Sequence, residues 1–175
     1  DNVPAEIDSN EIYNNSTQGI YLNGSGSDAN ISNCEIYSHN VTSEGAAIYT
    51  NLATTNITNS IIRDNTTSVA GGAIHANKAV VTIEDSSIYG NQAATGGILF
   101  LNTSASATIK RSVIRDNTAT GGGGAIYTNG CNMTIENTIF ANNQGSNGGV
   151  ITTNQGPTVT IKNSTFADNT ATGNG

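Results

Sequence analysis

Apolar residues in this chain fall in short runs that alternate with polar residues and return at a regular interval. One run opens with an isoleucine that returns at a constant interval after a slightly shorter first step, at Ile7, Ile31, Ile57, Ile83, Ile109, Ile135 and Ile161. A second apolar column follows five residues later, at Ile12, Ile36, Ile62, Ile88, Ile114, Phe140 and Phe166. A period of two within each run predicts β-strands, and no run has the spacing of a helix.

A second run lies between these segments and opens with small residues. It reads GGAIHAN at 71–77 and GGAIYTN at 123–129, with related copies at 18–23, 45–51, 96–102 and 148–154. Small residues allow a sharp turn and a close approach between neighbouring coils. Each repeat unit therefore contains two or three short strands joined by tight turns, which suits one turn of a coil.

The repeat predicts an all-β fold, a right-handed parallel β-helix of about seven coils in which like residues lie above one another. Each coil then needs only a few inward apolar side chains, because the coils above and below complete their burial. We expect residues 1–175 to form a single domain. A left-handed β-helix is the alternative, but its repeats are usually hexapeptides.

An asparagine closes nearly every copy of the first run. The asparagines are Asn15, Asn65, Asn91, Asn117, Asn143 and Asn169, and His39 replaces the residue once. Stacked side-chain amides can form a ladder that satisfies backbone groups of the turns. We predict that this column is structural and not catalytic.

Two motifs of the repeat carry a family resemblance. GGAI occurs at 71–74 and 123–126, and FxxN occurs at 140–143 and 166–169, with isoleucine in place of phenylalanine in the other copies. The pair resembles the repeat of the polymorphic outer-membrane protein family over nearly the whole chain. The resemblance implies a right-handed β-helix displayed at a cell surface, often as the passenger of an autotransporter and often an adhesin. It identifies no ligand, because a fold does not fix a function.

All six tyrosines fall in two columns of the repeat. One column contains Tyr13, Tyr37, Arg63, Tyr89 and Arg115. The other contains Tyr21, Tyr49, His75, Phe100 and Tyr127, and each member follows an inward apolar residue, so period two directs it toward solvent. We predict that this second column, the aromatic stripe, binds glycan rings or a partner protein. The alternative is that stacked side chains only stiffen the solenoid.

The composition restricts the possible partners and cofactors. A net charge of −7 argues against binding to nucleic acid or to anionic membrane surfaces. No apolar run is long enough for membrane insertion. His39 and His75 lie in different columns, no zinc or calcium repeat occurs, and the glycine runs lack the lysine of a phosphate loop. We therefore expect no metal and no cofactor.

Asp64 and Asp116 are the strongest candidates for catalysis, because many right-handed β-helices cleave acidic polysaccharides and Arg63 and Arg115 lie beside these aspartates. The two carboxylates are two coils apart, on the order of 10 Å, at the outer limit for inverting glycosidases. Asp168 repeats the position, which is typical of the repeat itself. We expect that the chain is not an enzyme.

Cys34 and Cys131 lie about three coils apart in the predicted fold, beyond the roughly 7 Å Cα separation that a disulfide allows. Two unpaired thiols are therefore expected. Asn23 and Asn102 are sequon asparagines at turn tips and are possible glycosylation sites if the source organism adds glycans. Asn65 is also in a sequon but belongs to the predicted ladder, so we expect it to be inaccessible.

These observations favour an extracellular or cell-surface structural protein that acts as an adhesin or surface scaffold. Its expected partners are a protein or glycan at a cell surface, or copies of itself. One alternative is a self-assembling extracellular filament subunit that stacks end to end, because the sequence stops where its next strand should begin and shows no cap. The same observation fits an excerpt of a longer β-helix. The other alternative is a polysaccharide lyase or hydrolase. Outward side chains at Ile61, Val113 and Ile139 would favour lateral association.

Overall fold

The computed structural model describes residues 3–174, which form four parallel β-sheets wound into a solenoid whose coils match the sequence repeat. A complete coil adds one strand to each sheet in the order A, B, C, D. The prediction of a parallel β-helix is confirmed. Residues 1, 2 and 175 of the predicted domain lie outside the described residues.

The strands of each sheet, over the described residues, follow one another in chain order. Sheet A contains Ala5–Asp8, Ala29–Ser32, Thr54–Thr58, Val80–Glu84, Ser106–Lys110, Met133–Glu136 and Val159–Lys162. Sheet B contains Glu11–Tyr13, Glu35–Tyr37, Ile61–Arg63, Ser87–Tyr89, Val113–Arg115, Ile139–Ala141 and Thr165–Ala167. Sheet C contains Asn40–Val41, Thr66–Thr67, Gln92–Ala93, Thr118–Ala119, Gln144–Gly145 and Thr170–Ala171. Sheet D contains Ile20–Asn23, Ile48–Asn51, Ile74–Asn77, Leu99–Asn102, Ile126–Asn129 and Ile151–Asn154.

Like residues lie in register on neighbouring strands. In sheet A, Ile83 pairs with Ile57 on one side and with Ile109 on the other. In sheet B, Ile88 pairs with Ile62. All five side chains are fully buried. The predicted columns of isoleucine therefore form continuous lines through the core.

Two corners of the coil turn on a single residue with positive φ. Between sheets A and B these residues are Ser9, Asn33, Asn59, Asp85, Arg111, Asn137 and Asn163. Between sheets B and C they are Asn14, Ser38, Asp64, Gly90, Asp116, Asn142 and Asp168. The left-handed region is disfavoured for residues other than glycine, although Asn and Asp tolerate it best. The contacts on either side must therefore hold these corners in place.

Sheet D departs from the strict period. From Ile74 to its partner Leu99 the chain is one residue shorter than the period, and from Leu99 to Ile126 it is one residue longer. Partners in sheets A, B and C remain a full period apart over the same coils. The turn from sheet C to sheet D and the turn from sheet D to sheet A therefore change length in opposite directions, and their sum stays constant.

Close contact between coils explains the glycines before sheet D. Gly71 has a φ of 68°, and a Cβ there would lie 2.2 Å from the carbonyl oxygen of Ile74. A Cβ at Gly124, in the run of four glycines, would lie 2.2 Å from the carbonyl oxygen of Gly149 in the next coil. No side chain fits at either position, because the turn itself excludes it at Gly71 and the next coil excludes it at Gly124.

Candidate functional site

Buried asparagines at the corner between sheets B and C form a continuous ladder. Asn65 donates to Oδ1 of Asn91 from its backbone N–H at 3.1 Å and from Nδ2 at 2.9 Å. Nδ2 of Asn65 also donates to the carbonyl oxygen of Ile36 at 3.1 Å. The same contacts continue through Asn117, Asn143 and Asn169. The side chains thus satisfy backbone groups that the corner leaves unpaired.

His39 takes the place of asparagine in this ladder. Its Nδ1 accepts a hydrogen bond from the backbone N–H of Asn15 at 3.2 Å, and its Nε2 lies 3.1 Å from the carbonyl oxygen of Ile12. These contacts assign the neutral tautomer with its proton on Nε2. The backbone N–H of His39 donates to Asn65 at 3.1 Å. A Cβ at Gly19 would lie 2.6 Å from Nε2, so the imidazole ring occupies space that glycine leaves free.

A hydroxyl ladder lies at the corner between sheets A and B. Oγ of Ser60 accepts the backbone N–H of Cys34 at 3.1 Å and donates to the carbonyl oxygen of Thr58 at 2.8 Å. The position is held in the later coils by Ser86, Ser112, Thr138 and Ser164. Sequence reasoning assigned no role to this column, and its signal is the recurrence of Ser or Thr directly after the left-handed residue.

The aromatic stripe forms one stack along the outer face of sheet D. Neighbouring ring centroids from Tyr21 to Tyr127 are 4.9 to 5.4 Å apart, and the rings are nearly parallel. The faces of Tyr49, His75 and Phe100 are therefore covered by neighbouring rings, and only ring edges can face solvent. A sugar that stacks on an aromatic side chain needs a free face. The interior rings therefore offer no free face to a sugar, and binding of a glycan or a partner protein by the stripe stays a prediction.

The prediction that His75 faces solvent is wrong. It is 2% exposed, whereas Tyr21 is 58% exposed and the other rings of the stripe are half-buried. Tyr49 and Phe100 cover its two faces, and Oε2 of Glu44 lies 3.6 Å from its Nε2. Burial lowers the pKa of His75, and the charge of Glu44 partly offsets this. A period of two identifies the face of the sheet on which a side chain lies. It does not show whether residues of a neighbouring turn cover that side chain.

Nδ1 of His75 is buried and has no hydrogen-bond partner among the described residues. An unpaired buried polar atom is costly. His75 therefore keeps one unsatisfied nitrogen inside the stack, while its other nitrogen faces Glu44.

An outer asparagine ladder runs beside the stripe, at the last residue of each sheet D strand. Nδ2 of Asn51 donates to Oδ1 of Asn23 at 2.8 Å, and Nδ2 of Asn77 donates to Oδ1 of Asn51 at 2.9 Å. Asn129 donates to Asn102 in the same way at 3.1 Å. Both predicted glycosylation sites, the exposed Asn23 and the half-buried Asn102, therefore belong to a ladder that sequence reasoning did not identify.

The two aspartates considered for catalysis lie at the corner between sheets B and C. Asp64 is paired with Arg63 at 2.8 Å, and Asp116 is paired with Arg115. Gly90 lies between them, and a Cβ there would be 2.4 Å from Oδ1 of Asp64. Two open clefts of about 290 and 340 Å³ occur in the described part of the chain, and neither is lined by these aspartates.

A closer pair of carboxylates lies beside the larger cleft. Glu11 and Glu35 are in register on adjacent strands of sheet B. Oε1 of Glu35 accepts a hydrogen bond from Nε of Arg63 at 2.6 Å, and the hydroxyl of Tyr37 lies 3.5 Å from Oε2 of Glu11. Sequence reasoning missed this pair, although the predicted column that contains Ile12 and Ile36 already places Glu11 beside Glu35.

Charged side chains on sheet A pair between coils. Glu136 lies 3.9 Å from Lys110 and 3.5 Å from Lys162. Arg111 contacts Glu84 and Asp85, each at 2.8 Å, and holds the pKa of Asp85 below its ordinary value. Exposed pairs of this kind contribute little to stability, because solvent screens them. Their main effect is to favour the observed register.

The cysteines and the possible metal ligands are the remaining side chains that could carry chemistry. Cys34 and Cys131 are free and buried, as predicted, and burial raises the pKa of the Cys131 thiol. Among residues 3–174, no group of three or more His, Cys, Asp or Glu side chains is arranged to hold a metal ion. The same residues include no helix that is both long and apolar enough to cross a membrane.

Comparison with protein families places this fold. A family model described as "Right handed beta helix region" matches residues 1–166. The chain belongs to the right-handed β-helix family. No curated protein and no solved structure gave a significant match. The match indicates a right-handed coil and a repeat of the β-helix type. Because a fold does not fix a function, the function is inferred from the surfaces of the protein.

Proposed function

We propose that this β-helix is a non-catalytic structural protein, secreted or displayed at a cell surface, that acts as an adhesin or scaffold. One observation carries the proposal: residues at equivalent positions of successive coils contact one another in continuous ladders. The buried asparagines, the corner hydroxyls and the aromatic stripe all do so. A rod built in this way presents long surfaces with regular spacing, as solenoid proteins use for binding.

The outer face of sheet D is the proposed contact surface. It combines the ring edges and hydroxyls of the aromatic stripe with the amides of the outer asparagine ladder. Tyrosine is enriched at protein interfaces because one end of the side chain is apolar and the other is polar. Since the interior ring faces are covered, this surface suits an extended polypeptide or glycan that binds along the coil axis through hydrogen bonds.

The resemblance of the GGAI and FxxN motifs to the polymorphic outer-membrane protein repeat supports a location at the cell surface. The net charge of −7 also supports partners other than nucleic acid and anionic lipid. Both features fit a protein that contacts other proteins or glycans outside the cell.

The test is binding of the fluorescently labelled chain to intact epithelial and bacterial cells and to a panel of immobilised neutral and acidic polysaccharides. We expect saturable binding to at least one of these surfaces. The double variant Tyr49→Phe/Tyr127→Phe removes two hydroxyls and keeps the stack, so it should weaken binding by about 2- to 10-fold per hydroxyl that contacts the partner. Tyr13→Phe, on sheet B, is the matched control and should bind normally.

Two results would contradict the proposal. One is the absence of saturable binding to every cell and polysaccharide tested. The other is cleavage of a polysaccharide by the unmodified chain that is lost in Asp116→Asn or in Glu35→Gln, which would instead support the enzymatic alternative.

A further inference from the structure

His75 is the most deeply buried ring of the aromatic stripe, and its surroundings do not satisfy both of its nitrogens. Its Nε2 lies 3.6 Å from Oε2 of Glu44, whereas its Nδ1 has no hydrogen-bond partner among the described residues. A neutral imidazole has one donor nitrogen and one acceptor nitrogen, and an imidazolium has two donors. Nδ1 is therefore unsatisfied in either protonation state as long as the ring stays covered.

Glu44 belongs to a surface turn, residues 42–45, between the first strand of sheet C and the second strand of sheet D. Thr42 and Ser43 are exposed, and Glu44 is half-buried. In the described part of the chain, Glu44 is the one charged residue in the turns that lead from sheet C to sheet D. The only charge on this edge of the solenoid therefore lies against the only histidine of the stripe.

Hydrogen bonds to the neighbouring coils hold the 42–45 turn over His75. Nε2 of Gln18 donates to the carbonyl oxygen of Glu44 at 3.0 Å, and the backbone N–H of Gly45 donates to the carbonyl oxygen of Ala70 at 2.9 Å. A Cβ at Gly45 would lie 3.0 Å from the backbone nitrogen of His75, so the turn lies directly against that residue. Exposed turns with few buried contacts are the segments of a protein that open locally at low cost.

The environment of His75 determines which form of the turn binds a proton more tightly. The carboxylate of Glu44 and the ring faces of Tyr49 and Phe100 favour the imidazolium. Burial opposes it and is the larger effect, so the pKa of His75 lies below its ordinary value of 6.5. Tyr49 is the other titratable group against the ring, and burial followed by the charge of Glu44 raises its pKa, so its hydroxyl stays neutral.

We propose that the 42–45 turn is an acid-sensitive cover, which opens as the pH falls and uncovers His75 in the middle of the aromatic stripe. In the open state water reaches both nitrogens and supplies the missing partner of Nδ1. The open state therefore binds the proton more tightly than the closed state, and acid shifts the equilibrium toward opening. The stripe and the outer asparagine ladder carry no other charge, so opening gives this face of sheet D a positive charge at its centre.

The pH range of the opening follows from the two pKa values of His75. In the open turn the ring has its ordinary pKa of about 6.5, and in the closed turn its pKa is lower. The equilibrium constant for opening should therefore rise as the pH falls below about 6.5, by at most about tenfold for each pH unit, and level off below the closed-state pKa. The cover does not depend on whether sheet D binds a partner.

The test is amide hydrogen exchange of the whole chain, followed by NMR between pH 7.5 and 5. The probe is the backbone N–H of Gly45, which donates to Ala70. The matched control is the backbone N–H of Gly71, which donates to the carbonyl oxygen of Thr95 at 3.0 Å in the equivalent turn of the next coil. The ratio of the two exchange rates removes the intrinsic pH dependence of exchange and the contribution of global unfolding. We expect exchange at Gly45 to accelerate relative to Gly71 as the pH falls below about 6.5.

Three variants assign the effect to His75. His75→Phe places in the stripe a ring that the next coil already has, so it should fold, and its exchange ratio should not depend on pH. His39→Asn should retain the acceleration, which separates His75 from the other buried histidine with a lowered pKa. Glu44→Gln removes the charge that favours the closed imidazolium, so the acceleration should be larger.

Four results would overturn the proposal. They are a constant exchange ratio in the unmodified chain, an acceleration that persists in His75→Phe, its loss in His39→Asn, and a smaller acceleration in Glu44→Gln.

Discussion

The buried asparagine ladder and the aromatic stripe are both columns of like residues, yet they differ in how firmly the sequence determines them. Each interior asparagine donates to one neighbour, accepts from the other and bonds the main chain. The rings of the stripe contact one another mainly by stacking, and their exposure ranges from that of Tyr21 to that of the buried His75. Directional hydrogen bonds to the backbone leave few alternatives at a position, whereas stacking accepts any flat side chain.

This difference indicates at which positions amino-acid substitutions are tolerated. The stripe contains Tyr, His and Phe, while the ladder admits one replacement, and His39 succeeds only because its two nitrogens reproduce the amide's donor and acceptor. We therefore expect substitutions in the ladder to cost more than substitutions in the stripe.

The largest effect is expected from Asn117→Leu. This change leaves the backbone N–H of Asn91 and the carbonyl oxygen of Ile88 without their side-chain partner, so it should lower the free energy of unfolding by about 2–5 kcal/mol. Urea denaturation measures the loss. Asn77→Leu, in the outer ladder, is the matched control and should cost less than about 1.5 kcal/mol. Equal losses at the two positions would contradict the distinction between the ladders.

A smaller effect is expected where the ladder admits histidine. Gly19→Ala places a methyl group against Nε2 of His39 and should cost about 1–3 kcal/mol. In a His39→Asn background the smaller side chain frees the space at Nε2, so the same change should cost less, and the carbonyl oxygen of Ala47 at 3.0 Å is the close contact that remains. A double-mutant cycle measured by thermal unfolding gives the coupling. Additive effects of the two substitutions would show that the ring and the glycine are not matched.

Acidification should lower the free energy of unfolding through His75, the buried member of the aromatic stripe. Because the folded-state pKa of His75 lies below 6.5, the unfolded chain binds the proton first as the pH falls. Stability present at neutral pH is therefore lost as the pH falls below about 6.5 and through the folded pKa. Glu44 is the charged group that faces the ring.

His75→Phe keeps a flat ring and removes this titration. Unfolding measured between pH 7.5 and 5 should show a shallower loss of stability in the variant than in the unmodified chain, although burial also lowers the pKa of His39, which contributes equally in both. Identical pH profiles would exclude His75 as the source.

The smallest effect is expected from Tyr127→Phe. Its ring stacks on Phe100, and removal of the hydroxyl leaves that stack intact. The free energy of unfolding, measured by urea denaturation, should therefore change by less than about 0.5 kcal/mol. A larger loss would show that the hydroxyl is part of the structure and not available to a partner.

The fold could be predicted because isoleucine recurs at one constant interval along the chain. Ile57, Ile83 and Ile109 recur at a constant interval, and stacking them requires parallel strands in register. The site was harder to predict. The cover of His75 by Glu44 depends on a contact between turns of different coils, which periodicity within one strand does not contain. The pairing of Glu11 with Glu35 follows from the predicted column of Ile12 and Ile36, but it was not recognised.

The corners were not identified from the sequence. Most of these positions hold Asn, Asp or Gly, the residue types that tolerate the left-handed region best, so residue type does carry a signal there. Arg111 and Ser38 share the same conformation without that preference, and the neighbouring ladders must hold it at these two positions.

The constant combined length of the two turns that flank sheet D has a consequence for insertions and deletions. A residue deleted before Leu99 and a residue inserted after Asn102 would leave the length of the coil unchanged, whereas either change alone would alter that length, as the shorter step from Ile7 to Ile31 does. Such compensated pairs offer a route by which loops on this edge can diversify in evolution, or accept grafted peptides, while the other three sides of the rod stay unaltered.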